Sequence, residues 1–140
     1  MPELVVEGGS INIAIGHDGA RNTLVDVTGE VLSRDLLPTV VIDVATLYAE
    51  PGYRITRLRI DDIQYFVDPG LLLELLWEGE DDKHLHCIKV TGRGTANYEK
   101  MGGRQNPHTG ATGNIMVATS GYTKGRKNFS LQLELIKQFT

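Results

Sequence analysis

Two histidines set two apart, His84-Leu85-His86, follow the acids Glu78, Glu80, Asp81 and Asp82. On a strand, positions i and i+2 share a face, and imidazoles with carboxylates are a metal-ligating set. A barrel metal site of the cupin kind wants a further carboxylate a few residues after the second histidine. Cys87-Ile88-Lys89-Val90 supplies none. A solvated acidic hairpin carrying two edge histidines is the preferred reading, and a small metal-dependent enzyme using His84 and His86 is a distant alternative. Cys87 could act as a nucleophile with His84, His86 or His108 as base. Its neighbours Leu85, Ile88 and Lys89 open no helix that would favour a thiolate, so a small buried strand residue is expected. No Gly-x-Ser-x-Gly elbow occurs. Gly92-Arg-Gly94 and Gly121-Tyr-Thr-Lys-Gly125 lack the spacing that cradles phosphate. No catalytic residue, metal ligand or cofactor is therefore assigned.

Binding chemistry is better represented. Lys124-Gly-Arg126-Lys127 forms a basic cluster in an expected hairpin loop, and Arg104 lies in a run rich in turn formers. Arg104, Lys124, Arg126 and Lys127 are the candidates for contact with an acidic partner, against the plainer reading of a solvated turn. Tyr53, Tyr65, Tyr98 and Trp77 could make a sugar-binding platform. With 1 Trp, 5 Tyr and 3 Phe in the chain, several of them in phase with the core, packing is the better reading. Asn128-Phe129-Ser130 matches a glycosylation sequon, read as chance at the start of an amphipathic strand.

These residues sit in a chain of 140 residues with a formal net charge of −4 and a single cysteine. That excludes an intrachain disulfide framework and a multi-cysteine zinc site. No apolar run approaches the roughly 20 residues of a membrane helix. No charged and then apolar leader is visible, so neither a membrane nor a secretory role is expected. Charge is uneven along the chain: −6 over residues 1–50, −2 over 51–100 and +4 over 101–140. Such a split would suit head-to-tail pairing of copies if it survived folding. The acidic total and the lack of aromatics among the basic residues argue against direct nucleic-acid binding.

The elements that must position these groups are strands. Phe129, Leu131, Leu133 and Leu135 alternate with Ser130, Gln132 and Glu134, the period of a half-buried strand. Val40–Val44 and Ile115–Val117 follow the same rule. Tyr53 and Ile55 lie on one parity and Leu58 and Ile60 on the other, which predicts a bulge between them. Leu71–Trp77 could open a helix after Asp68-Pro69-Gly70. Strand-like neighbours on both sides favour a strand with Leu71, Leu73, Leu75 and Trp77 on one face. Residues 91–113 read as long loops around a short strand near Tyr98. Thr28-Gly29-Glu30 reads as a hairpin turn between Leu24–Val27 and Val31–Leu32. The expected fold is all-β: an antiparallel β-sandwich, jelly-roll-like, over residues 39–140. Residues 1–38 form an N-terminal arm or hairpin extension, with Pro38 at the join.

From Val40 to Lys137 the chain resembles a group of small virion proteins of tailed bacteriophages. The resemblance rests on Ile63-Gln-Tyr-Phe-Val67, Leu71–Trp77-Glu78, Cys87-Ile-Lys-Val-Thr-Gly92, Gly102-Gly103 and Asn106-Pro107. Its most telling piece is Thr112-Gly-Asn-Ile-Met-Val-Ala-Thr-Ser-Gly121, followed by a basic turn and Phe129–Lys137. The usual form of that segment has an acid after Thr-Gly, where this chain has Asn114. The resemblance implies a non-enzymatic capsid decoration or cement protein. It would bind the major capsid protein on the capsid surface, after assembly in the host cytoplasm, and associate with itself as a dimer or trimer. A head–tail or fibre-associated, carbohydrate-binding sandwich using the 91–113 loops is the alternative.

Overall fold

A computed structural model describes residues 3–79, 84–103 and 111–139. Ten strands account for most of it: β1 (Glu3–Val6), β2 (Gly9–Asp18), β3 (Asn22–Val31), β4 (Thr39–Ile42), β5 (Ile55–Val67), β6 (Leu72–Gly79), β7 (His84–Val90), β8 (Gly92–Asn97), β9 (Ala111–Ser120) and β10 (Lys127–Phe139). Single 3-10 turns occur at Val44–Thr46 and Glu99–Met101. The strands form a six-stranded sheet, β1-β2-β3-β10-β5-β8, and a four-stranded sheet, β4-β9-β6-β7. Every described pairing is antiparallel.

The connectivity is that of a jelly roll. Strands β3 to β10 divide into the halves β3-β10-β5-β8 and β4-β9-β6-β7, and successive strands alternate between them from β3 to β6 and again from β7 to β10. The β1–β2 pair extends the first half beyond β3. Pro38 lies in the crossover between β3 and β4. Ile11, Val25, Val27, Val31 and Leu36 share one buried cluster with the residues after Pro38, so a single core runs through both parts.

Alternation builds that core as the sequence pattern expects. Leu71, Leu73, Leu75 and Trp77 point inward from β6 and its entry, and Phe129, Leu131, Leu133 and Leu135 point inward from β10. Asp68-Pro69-Gly70-Leu71 is a tight turn: Leu71 N–H donates to Asp68 O at 3.2 Å, and Gly70 has φ +88°. Proline second and a positive-φ glycine third is the type II arrangement, and it launches a strand, not a helix. The bulge expected between Ile55 and Leu58 is present: Arg57 faces Gln138 while Ile55 faces Phe139, leaving Thr56 over. A second bulge skips Asp61.

One turn assignment is corrected. Thr28-Gly29-Glu30 is not a hairpin turn; it lies inside the continuous strand β3, and the β2–β3 turn is at Gly19-Ala20-Arg21. Gly29 stands opposite Phe129, and a Cβ there would sit 2.2 Å from the ring. The glycine makes room for an aromatic ring from the neighbouring strand, which a local reading takes for a turn signal.

Candidate functional site

The basic cluster occupies a braced turn. Between β9 and β10, Tyr122 Oη is 2.8 Å from Leu32 O and 2.8 Å from Gly125 O. Its one hydroxyl hydrogen serves either carbonyl and places the ring between them. Tyr122 N–H donates to Asp35 Oδ1 at 3.1 Å. Thr119 N–H donates to Leu36 O at 3.1 Å, and Thr119 Oγ1 accepts from Leu36 N–H at 2.8 Å. The crossover at 32–36 is thus laced to the end of β9 and to the basic turn. Buried Leu36 pins it to the core.

On this frame Lys124 and Arg126 are exposed and Lys127 is half-buried. None of the three forms an ion pair among the described residues, so their charge is available to a partner. Arg34, in the same crossover, is paired with Glu7. Leu32 and Leu37 are 46% and 65% exposed. The patch therefore joins free cations to apolar surface. Lys124, Arg126 and Lys127 come together here; Arg104 lies outside the described residues. Leu32, Leu37 and the Tyr122 brace escaped the sequence reading, because no local pattern links residue 32 to residue 122.

The other candidates disperse. By register His84 faces Glu78 and His86 faces Leu76 on β6, and their side chains fall outside the described residues. Among the described residues, no group of three or more His, Cys, Asp or Glu is placed to hold a metal ion. His108 is not among the described residues. Cys87 is buried in the core at a bulge in β7. The four aromatics form no platform: Trp77 is in the core, Tyr65 and Tyr98 pack against it, and Tyr53 stacks edge-on with Phe139, 5.6 Å between centroids. No described helix is long and apolar enough to cross a membrane.

The charge split does not survive folding. β10, from the basic C-terminal segment, inserts between β3 and β5 and pairs with β3 from Lys127 to Ile136. The residues of the acidic and basic segments become neighbours, and Lys137 pairs directly with Asp18.

Asn114, the departure from the bacteriophage pattern, has a defined job. Its Oδ1 accepts from Val44 N–H at 2.9 Å, and its Nδ2 donates to Glu78 Oε1 at 3.0 Å. Thr112 Oγ1 also donates to that carboxylate oxygen, at 2.8 Å. The amide satisfies both contacts, whereas a carboxylate could accept from Val44 but not donate to Glu78.

No family model matches the chain, and no curated protein matches it. Among solved structures it is similar to peruvianin-I, a cysteine peptidase from Thevetia peruviana latex, at 12% identity and a TM-score of 0.38, over 91% of this chain and 62% of that one. It is also similar to a CBM4 structure at 9% identity and a TM-score of 0.33, over 94% and 96% of the two chains. The chain thus spans less than two thirds of the peptidase's length.

Proposed function

We propose that the chain is a non-enzymatic virion structural protein of a tailed bacteriophage, a decoration or cement subunit that binds and stabilises the shell of the major capsid protein. The observation that carries this reading is the braced basic turn, with Lys124 and Arg126 exposed on a turn that Tyr122 ties to the backbone of exposed Leu32. A preordered patch loses little entropy on docking, and unpaired cations select an acidic surface. Two further observations support it. The segments most like the bacteriophage virion proteins, Thr112–Gly121 and Phe129–Lys137, supply the inner strands β9 and β10 of the two sheets. The jelly roll is itself an architecture of viral capsid domains. It is also one of lectins, so the fold alone does not choose and the surface must.

The mechanism is burial of area at joints between capsid subunits, repeated at many sites. A standard stable interface totals roughly 1,600 Å². Among the described residues the outer strands β1, β8, β4 and β7 offer backbone edges with no strand partner that a neighbour could extend, and self-association into dimers or trimers would use them. Co-sedimentation with empty capsids tests the reading. Binding that the Lys124→Glu/Arg126→Glu variant loses supports it, and absence of binding at low salt and high protein concentration rejects it.

A further inference from the structure

The outer face of the six-stranded sheet carries a second surface, separate from the basic turn. A groove of about 690 Å³ crosses β2, β3, β10, β5 and β8. Strand register aligns its side chains in two rows. One runs Asn12, Thr28, Ser130, Phe66, Arg93, each the direct cross-strand partner of the next. The other runs Ala14, Asp26, Gln132, Gln64, Thr95 in the same way. Five strands at the usual spacing make each row about 19 Å long.

The chemistry of the rows is consistent. Asn12, Gln64 and Gln132 carry amides, which donate and accept at once; Thr28, Thr95 and Ser130 carry hydroxyls, which do the same. None of these six side chains makes a hydrogen bond among the described residues, so the groove presents unspent hydrogen-bonding capacity. Its formal charge is neutral: Asp26 is the one acid and Arg93 the one base. Arg93 is held 5.3 Å over the Phe66 ring, and Phe66 is 37% exposed at the β8 end.

We infer that this groove binds a neutral, polyhydroxylated chain, that is, an uncharged glycan lying across the strands. A sugar ring presents hydroxyls at its edge and apolar C–H on its face. Paired donor–acceptor side chains match the edge, and the part of the Phe66 ring that Arg93 leaves exposed matches the face. A polyanion would need more cations than Arg93 provides. A protein partner would favour a more apolar centre than Gln132 beside Gln64. The inference does not depend on capsid binding, and it places a carbohydrate site on the sheet face, to which the 91–113 segment contributes only strand β8.

The test is a nuclear magnetic resonance titration of the isotope-labelled full chain. The probes are cellohexaose, laminarihexaose, maltohexaose and mannohexaose, with a heparin hexasaccharide as the polyanionic comparator. At least one neutral hexasaccharide should move backbone amide signals along both rows of β3, β10 and β5 at ligand concentrations near 1 mM. Gln64→Ala/Gln132→Ala should weaken that binding at least about tenfold, through loss of paired hydrogen bonds. Phe66→Ala should weaken it similarly. Mapping uses the unsubstituted chain, so a misfolded variant does not rescue the idea. Silence of all four neutral probes at about 10 mM, signals confined to another surface, or preference for heparin would each overturn it.

Discussion

Lys137 Nζ lies 2.5 Å from Asp18 Oδ1, with Gly19 O and Tyr48 O each 2.6 Å away, so all three ammonium hydrogens have acceptors. The lysine side chain is fully enclosed, and the Tyr48 ring lies 5.6 Å from its nitrogen. Asp18 also accepts Tyr48 N–H through Oδ2 at 2.8 Å. One ion pair therefore ties the end of β2, the last strand and the loop before β5 into one joint.

Removing the cation leaves three acceptors facing an apolar substitute. Lys137→Met should cost about 3 kcal/mol, and Asp18→Asn somewhat less because the two carbonyls remain. Urea denaturation should report both as a lower midpoint with an unchanged slope.

Asn114→Asp should destabilise by about 1–2 kcal/mol, although it installs the acid usual in the bacteriophage segment. The new carboxylate still accepts from Val44 but confronts Glu78. Adding Glu78→Gln should recover most of the loss. A double-mutant cycle that returned purely additive effects would contradict the assigned contact.

Gly29→Ala should cost about 1–3 kcal/mol, since its Cβ would overlap the Phe129 ring. In a Phe129→Leu background the same change should be nearly neutral. Thermal unfolding of the four proteins measures the coupling directly.

These joints mark where sequence reading stops. The strands β6 and β10 were legible because their burial follows strict alternation, and the Thr56 bulge because a parity slip is local. A β-sandwich follows from many such strands in a chain of this length, while the strand order that makes it a jelly roll is set by pairings between distant segments. Gly29 was misread because the ring that requires it lies on another strand, 100 residues away. The Lys137–Asp18 pair spans 119 positions. No period or spacing marks it, and the charge count that set the two segments apart concealed this pairing between them. At the candidate site, Lys124, Arg126 and Lys127 were legible as a cluster. Their bracing by Tyr122 against Leu32 depends on the β3–β4 crossover folding back against β9.

The patch predicts a separation of stability from binding. Lys124→Glu/Arg126→Glu should unfold within about 0.5 kcal/mol of the parent, because both side chains are exposed and unpaired. Tyr122→Phe should instead lower stability by about 1 kcal/mol, through loss of the hydroxyl brace. Chemical denaturation of the purified variants distinguishes the two.

Co-sedimentation of the chain with empty tailed-bacteriophage capsids tests the proposed role most directly. The account predicts saturable binding in many copies per shell, weakened by salt and lost in Lys124→Glu/Arg126→Glu while that variant stays folded. No binding at low salt and high protein concentration, or binding that the charge reversal leaves intact, would contradict it.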